Sequence, residues 1–113
     1  MAMTPEGKVK KKVIELLKEL GVYYFIPVSN GMGVMGIFDI VCCINTVFVG
    51  VECKSDAKKK PTPLQTRNAQ KAAKAGAVIF LAHIDNLTEL EHTLTTIRRN
   101  TWNFGAFVLA GCW

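Results

Sequence analysis

The chain has 113 residues, half of them hydrophobic and 20% charged, which excludes a disordered basic tail and leaves no room for a second hydrophobic core. Its net charge of +5 favours a polyanionic partner, a class that includes nucleic acids. The longest apolar stretch is too short to span a bilayer, and the N-terminal residues lack the apolar run of a signal peptide. We therefore expect a cytoplasmic protein with no membrane contact.

The cysteines do not have the spacing of a metal or disulfide motif. Cys42, Cys43, Cys53 and Cys112 form no CxxC pair, and two histidines are too few to complete a zinc site with them. Because Cys42 and Cys43 lie in an apolar segment, they are interpreted as buried thiols in a reducing compartment.

A helix is predicted at the start of the chain. Thr4 and Pro5 form an N-cap and first-turn pair, and Gly21 is a typical C-terminal stop. Between them, apolar residues recur with helical spacing at Val9, Val13, Leu16, Leu17 and Leu20.

Three strands are predicted next, because these segments are rich in β-branched and aromatic residues. A glycine-rich loop separates the first strand from the second, and Asn45 and Thr46 join the second to the third in a tight turn. The first strand covers residues 22–28 and the loop residues 29–36. The second and third strands cover residues 37–44 and 47–54.

The second half of the chain is predicted to contain a basic loop, a helix, an apolar strand, a last helix and an apolar tail. The first of these helices begins at Thr62 with capping-box spacing to Gln65. The tail has no obvious partner in a domain this small. The basic loop covers residues 55–61, the helix residues 62–75 and the apolar strand residues 77–82. The last helix covers residues 87–99 and the tail residues 101–113.

The order of these elements predicts an α/β fold with a mixed central sheet flanked by helices. The order is α-β-β-β-α-β, followed by the last helix. We expect one domain over residues 1–113, with its core at about residues 4–82 and a possible dimer interface in the C-terminal helix and tail, residues 87–113.

The tight turn has a geometric consequence for three charged residues. If Asn45 and Thr46 form a two-residue hairpin turn, Asp39 faces Glu52 on the neighbouring strand. Opposed residues of an antiparallel pair project from the same side of the sheet, with Cβ atoms about 5 Å apart. Lys54, two residues beyond Glu52, projects from that side too.

Two carboxylates opposed in such apolar strands repel each other unless a cation lies between them. Lys54 could be a simple structural counter-ion. A hard cation such as Mg²⁺ or Mn²⁺ also fits, because it prefers carboxylate oxygens and keeps coordination positions for water and phosphate. A lysine beside such a metal can orient the attacking water and offset charge on the transition state.

These residues resemble the D…ExK form of the PD-(D/E)XK nuclease core, and more closely the VRR-NUC branch found as stand-alone phage and bacterial proteins. The resemblance covers roughly residues 4–82 and rests on Glu6, Gly36 to Asp39, Glu52-Cys53-Lys54 and Gln65. Phe38 stands where the family usually has proline. The implied fold is the restriction-endonuclease-like core.

The resemblance implies that Asp39, Glu52 and the main-chain carbonyl of Cys53 bind Mg²⁺ or Mn²⁺, and that Lys54 is catalytic. It also implies that Glu6 and Gln65 support the site. If the family resemblance is set aside, Glu6 is explained as a carboxylate that the helix dipole favours, and Gln65 as part of a capping box.

The lysine clusters are candidate contacts to a nucleic-acid backbone. One cluster directly follows Lys54, at the mouth of the proposed site. The alternative is that these lysines form solvated surface. The candidates are Lys58, Lys59 and Lys60 in the basic loop, and Lys8 and Lys12 in the first helix.

The leading hypothesis is therefore a metal-dependent DNA endonuclease. The resemblance implies a homodimer, a bacterial or phage-infected cytoplasm, and a Holliday junction or other branched DNA as substrate. The apolar tail also favours a dimer, because a monomer would expose it. Two alternatives stay open, namely a catalytically idle nucleic-acid-binding subunit with the same fold, and a structural domain in which Lys54 alone neutralises the carboxylates.

Overall fold

In the computed structural model of the chain, residues 3–28, 37–99 and 108–111 are described. They form helices α1 (Pro5–Leu20), α2 (Pro63–Lys74) and α3 (Leu87–Arg98). The strands are β1 (Tyr23–Phe25), β2 (Ile40–Ile44), β3 (Val47–Cys53), β4 (Val78–Ala82) and β5 (Val108–Gly111). None of the helices in these ranges is long and apolar enough to cross a membrane.

All the described strands belong to one mixed sheet with the order β1-β2-β3-β4-β5. The pairings of β1 with β2 and of β2 with β3 are antiparallel, whereas those of β3 with β4 and of β4 with β5 are parallel. The prediction of an α/β fold with a mixed sheet, three helices and this element order is confirmed up to α3.

The helices lie on both faces of the sheet, as the alternation of buried residues requires. On one face, side chains of α1 and α3 pack with every second residue of β2 and β3. On the other face, Ala69 of α2 packs with Val41 and Ile79 in a smaller cluster. The charged residues of interest alternate with the first set, so they belong to the α2 face.

The ends of α1 agree with its predicted caps. The hydroxyl of Thr4 accepts a hydrogen bond of 2.9 Å from the Gly7 amide. Gly21 adopts the left-handed conformation with φ of 68°, and its N–H donates to the Lys18 carbonyl at 3.1 Å.

The hairpin between β2 and β3 has the predicted register. Asn45 and Thr46 have φ values of 48° and 69°, as a two-residue turn of type I′ requires at both positions. Ile44 pairs with Val47, and the ladder continues to the pairing of Ile40 with Val51. The side chain of Asn45 donates to the carbonyl of Ile97 at 2.9 Å, which attaches the turn to α3.

The structure differs from the predicted bounds of two strands. Strand β1 is shorter than the predicted segment at residues 22–28, and β2 begins at Ile40 and not at residue 37. Asp39 therefore lies immediately before the strand, although the register still directs it towards Glu52. The glycine-rich loop at residues 29–36 lies outside the described residues.

The prediction that the C-terminal tail lacks a partner within the domain is wrong for part of it. Val108–Gly111 forms β5, which pairs in parallel with β4 at the edge of the sheet. Four residues are too few for a periodic pattern to be distinguished from a loop. The rest of the tail, residues 101–107 and 112–113, lies outside the described residues.

Candidate functional site

The charged residues predicted to form a site meet at one end of the sheet, where β3 ends. Glu52 is the penultimate residue of β3. Asp39 lies immediately before β2, the strand that pairs with β3. The Asp39 carboxylate accepts a hydrogen bond of 2.8 Å from the amide of Cys53, through Oδ2. This bond holds the Asp39 carboxylate beside the strand that carries Glu52.

Glu52 is almost completely buried, with 2% of its surface exposed. Its Oε1 accepts a hydrogen bond of 3.0 Å from Nε2 of Gln65, whereas Oε2 is buried and has no partner among the described residues. A buried carboxylate oxygen without a donor is costly, because it has lost its hydration without compensation. A cation or a proton at Oε2 would remove that cost.

The environment of Glu52 favours its neutral form. Burial, followed by the neighbouring Asp39 carboxyl, raises the pKa of Glu52 from 4.5 to about 9, while the positive charge of Lys54 acts in the opposite direction. The charge of Glu6 adds a further small increase of this pKa. The charge of Lys54 thus offsets only part of the effect that burial and Asp39 have on the pKa of Glu52.

Gln65 connects the side chain of Glu52, in β3, with that of Lys54, which follows the strand. Its Oε1 accepts from Nζ of Lys54 at 3.0 Å and from the amide of Thr62 at 2.8 Å, while its Nε2 donates to Glu52. The cationic donor at Oε1 and the carboxyl acceptor at Nε2 are consistent with one orientation of the amide. The capping box of α2 is also complete. The helix cap and the contact to the site are therefore functions of the same side chain.

Lys54 follows β3 and is half-buried. Its amide donates to the carbonyl of Ala82 at 2.9 Å, so its backbone continues the parallel pairing with β4. Because the backbone is held by the sheet and Nζ by Gln65, the ammonium group is fixed in position beside the carboxylates.

Glu6 reaches the same region from the opposite side of the sheet. It is spaced 3, 7 and 11 residues from Val9, Val13 and Leu17, so it lies on the sheet-facing side of α1. It is exposed, and its charge is felt by Glu52 and Cys53. Glu6 thus lies near the site. Among the described residues, its side chain makes no hydrogen bond to Asp39, Glu52, Lys54 or Gln65.

Lys10 of α1, which was not among the predicted site residues, is near enough to Cys53 for its charge to act on the thiol, on the face of the sheet opposite to the Glu52 side chain. It is half-buried, and its charge opposes the increase in the pKa of the Cys53 thiol that burial and the carboxylates cause. The sequence does indicate that Lys10 lies one helical turn after Glu6, because the two residues are in the i and i+4 relation.

The lysines predicted to bind nucleic acid are all exposed. In the loop after Lys54, the amide of Lys58 donates to the side chain of Asp56 at 2.8 Å, which forms a local turn. The loop lysines Lys58, Lys59 and Lys60 extend from this turn. Lys8 and Lys12 lie on a flank of α1 that is turned away from Glu6.

Cys53 separates Glu52 from Lys54 and points to the other face of the sheet. Its side chain belongs to the core beneath α1 and α3, and burial raises the pKa of its thiol. The two other cysteines among the described residues divide in the same way. Cys42 is buried, with its pKa raised to about 12, but Cys43 is exposed. The prediction that both were buried is wrong for Cys43, because adjacent strand residues point to opposite faces.

Phe38 positions the residue that follows it. Its buried ring lies against Gly50, where an added Cβ would approach the ring to 2.7 Å, and it meets Phe48 edge-on with ring centroids 6.4 Å apart. Gly50 is therefore required for close packing, and this packing holds the chain immediately before Asp39.

The donor set suits one hard divalent cation. The described residues contain no group of three or more His, Cys, Asp or Glu side chains placed to hold a metal. Asp39 and Glu52 are two carboxylates, and a site of this kind is completed by main-chain carbonyl, water or phosphate oxygens. The unpartnered Oε2 of Glu52 is the observation that favours such a cation.

Comparison of the chain with models of protein families, with curated proteins and with solved structures found no match. The likeness to VRR-NUC domains consequently rests on the motif residues and their spacing.

Proposed function

We propose that the protein is a metal-dependent endodeoxyribonuclease whose active site consists of Asp39, Glu52 and Lys54. The observation that carries this proposal is the buried Glu52 carboxyl with an unpartnered oxygen, next to the half-buried Asp39 and to a lysine held by Gln65. The raised pKa of Glu52 supports a functional site, because strongly shifted carboxyl groups cluster at such sites.

In this proposal Asp39 and Glu52 hold Mg²⁺ or Mn²⁺, with the main-chain carbonyl of Cys53 as a third oxygen ligand. The cation, when bound, supplies Lewis-acid polarisation of the scissile phosphate. Glu52 must lose its proton to act as a ligand. Nζ of Lys54 aligns the attacking water and offsets the negative charge that develops on the phosphate oxygens. Gln65 orients both side chains, and Glu6 adds negative charge at the edge of the site.

DNA is the proposed substrate, with four-way or branched DNA preferred over linear duplex. The net charge of +5 and the exposed lysines after Lys54 support a polyanion. The preference for junctions rests on the resemblance to stand-alone VRR-NUC proteins. The same resemblance supports a bacterial or phage-infected cytoplasm.

A homodimer belongs to the proposal, because two sites can then act on two strands. Its support in the fold is an apolar strip on the α2 face of β1 and β3, where Tyr23, Phe25 and Phe48 are exposed by 73%, 49% and 44%. Light scattering of the wild type and of Phe25→Glu measures this directly. A monomeric wild type would remove the dimer from the proposal.

The metal site is tested by thermal melts in EDTA and in millimolar Mg²⁺ or Mn²⁺. Metal bound to the native state raises the midpoint, by an amount that corresponds to about 2.7 kcal/mol at one hundred times the dissociation constant. Asp39→Ala should lose this increase, and Lys54→Ala should retain it. An unchanged midpoint in the wild type at millimolar metal contradicts the proposed ligand pair.

Catalysis is tested by cleavage of linear duplex, flap, single-stranded and four-way DNA. Wild-type protein should cleave the branched substrates in the presence of Mg²⁺ or Mn²⁺. Lys54→Ala should remain folded and bind metal but lose cleavage. If Lys54→Ala cleaves at the wild-type rate, the catalyst lies elsewhere. A protein that binds DNA and metal but never cleaves would be the idle binding subunit.

A further inference from the structure

An apolar pocket with a volume of about 270 Å³ opens on the α2 face of the sheet. Three phenylalanine rings line it together with aliphatic groups, a proline and one side-chain amide. Its lining among the described residues includes Phe25, Pro27, Ile37, Phe38, Phe48 and Asn68.

The pocket lies beside the candidate site on the same face of the sheet. Val41 also lines the pocket and is two residues after Asp39. The partner of Val41 across the hairpin is Gly50, which is two residues before Glu52. Residues two positions apart in a strand project from the same face and are about 7 Å apart. The pocket is therefore one side-chain row away from Asp39 and Glu52.

Two further connections join the pocket to the site. Phe38 lines the pocket and directly precedes Asp39. Asn68 lines it from α2, three residues after Gln65, so the two side-chain amides lie on the same side of the helix. One strand of DNA advances about 3.4 Å per nucleotide, so the distance of about 7 Å corresponds to about two nucleotides.

The chemistry of the pocket suits a flat aromatic ring rather than a phosphate. None of the described residues that line it is charged. Its volume, just below the roughly 300–1,000 Å³ of most small-ligand pockets, fits a single planar ring system. Nucleobases stack on aromatic side chains whatever their sequence, because every base has a π face. The amide of Asn68 is a group of the type that hydrogen-bonds the edge of a base.

We propose that this pocket binds an unpaired nucleobase of the DNA, about two nucleotides from the scissile phosphate. The inference rests on the proposed nuclease function and specifies which feature of the substrate is recognised. A base in linear duplex must first be unpaired and unstacked, at a cost in free energy. Single strands, flaps and branch points supply bases that are unpaired or more easily unstacked. A preference for branched DNA then follows from the pocket itself.

The pocket shares Phe25 and Phe48 with the apolar strip that supports the dimer. Tyr23, the most exposed residue of that strip at 73%, is not among the residues that line the pocket. A dimer formed through Tyr23 leaves the pocket open, whereas a second copy seated on the whole strip would close it. Because Tyr23 and Phe25 lie on the same face of β1, two residues apart, they distinguish these two occupants.

Matched leucine variants test the assignment. Phe25→Leu removes a ring from the pocket, and Tyr23→Leu removes a ring from the same face outside it, while both keep an apolar side chain. Binding is measured in EDTA, by fluorescence anisotropy, to labelled oligothymidylate and to an abasic strand of the same length. The two strands carry the same phosphates, so their difference in affinity reports the bases. Thermal melts and light scattering show whether each variant is folded and report its oligomeric state.

The wild type and Tyr23→Leu should bind oligothymidylate about tenfold more tightly than the abasic strand. Phe25→Leu should lose most of this preference and bind the abasic strand as the wild type does. Phe48→Leu, which changes a different strand of the sheet, should give the same result and serves if Phe25→Leu does not fold.

Equal binding of the two strands by the wild type, or no binding of either, would overturn the inference. A preference for bases that persists in Phe25→Leu and Phe48→Leu would do the same. If Tyr23→Leu also loses both the preference and the dimer, the surface belongs to a second copy and the inference is overturned.

Failure of the proposed function has a different signature. If Lys54→Ala retains cleavage, the catalytic assignment fails, while binding in EDTA still decides the role of the pocket. If the leucine variants of the pocket keep the preference for bases and Lys54→Ala is inactive, the nuclease proposal stands and only the recognition of an unpaired base is wrong.

Discussion

The side-chain amide of Gln65 donates a hydrogen bond of 3.0 Å to the buried carboxyl group of Glu52. The oxygen of the same amide group accepts from Lys54, so one residue at the start of α2 connects the acidic side chain of Glu52 with the basic side chain that follows β3. The capping box that begins the helix also positions the amide. Formation of α2 and assembly of the site are therefore coupled through Gln65.

Thr62→Ala and Gln65→Ala should separate the helix cap from the site. Thr62→Ala removes an N-cap hydroxyl and should cost about 1 kcal/mol of unfolding free energy while leaving cleavage close to wild type. Gln65→Ala should lower stability to a similar degree and also reduce metal affinity or cleavage by about 10–100-fold, as expected when a group that orients a ligand is lost. Denaturant unfolding and cleavage rates give the two quantities. Equal cleavage by the two variants would limit Gln65 to capping.

The raised pKa of Glu52 predicts a pH-dependent stability of the metal-free protein. The folded state keeps the proton up to a pH of about 9, whereas the unfolded state releases it near 4.5. Between these values the unfolded state binds fewer protons, so unfolding free energy falls as pH rises, by at most about 1.4 kcal/mol per pH unit. The contribution is complete below pH 4.5 and lost once pH has passed 9.

Glu52→Gln should remove this part of the pH dependence, since the amide cannot ionise. Melting temperatures in EDTA across this pH range, for wild type and variant, measure the difference. The variant should be the more stable of the two at alkaline pH and should not cleave DNA. Parallel pH profiles would show that Glu52 is already ionised in the folded protein.

Metal binding should tighten as pH rises towards 9, because Glu52 must release a proton to become a ligand. Titration calorimetry with Mn²⁺ in two buffers of different ionisation enthalpy counts the protons released, and the expected value at neutral pH approaches one. Asp39→Asn is the matched control, since it removes one charged ligand with little change in shape. Binding without proton release would contradict the neutral state assigned to Glu52.

Gly50→Ala should destabilise the fold by about 1–3 kcal/mol, as overpacking of a core does, because its Cβ would meet the ring of Phe38 at 2.7 Å. Displacement of Phe38 should also move Asp39 and weaken metal binding. In a Phe38→Leu background the cost of Gly50→Ala should be smaller, and a double-mutant cycle measures that coupling. Additive effects would show that the two residues do not share this space.

Thiol reagents should modify Cys43 in the folded protein and leave Cys42 and Cys53 protected. Cys43 is exposed, whereas the other two are buried and have raised pKa values, so little reactive thiolate forms. Peptide mapping after brief maleimide treatment identifies the labelled positions, and treatment in denaturant is the control that labels all. Early labelling of Cys42 would contradict the assignment of faces in β2.

Local patterns in the sequence were enough for the elements whose signals are strong. The caps of α1, the capping box of α2 and the two-residue turn at Asn45 and Thr46 depend only on residues a few positions apart. The turn also sets the register of β2 and β3, and this places Asp39 and Glu52 side by side. The nuclease function itself remains a proposal.

Other features depend on residues that are distant in the chain, and no local pattern indicates them. Strand β5 exists because β4 offers a free edge, and the exposure of Cys43 depends on how much of the sheet α2 covers. The proximity of Lys10 to Cys53 requires α1 to cross the sheet at one particular place.

The sequence by itself thus determined which charged residues of the hairpin share a side, because strand geometry alternates with a period of two. Only the tertiary structure decided the state of that site. Packing of α2 against the sheet buries Glu52, brings Gln65 between Glu52 and Lys54, and leaves Oε2 without a donor. Burial is the sum of contacts from elements far apart in the chain, and the pKa of a carboxyl group follows burial rather than sequence neighbours.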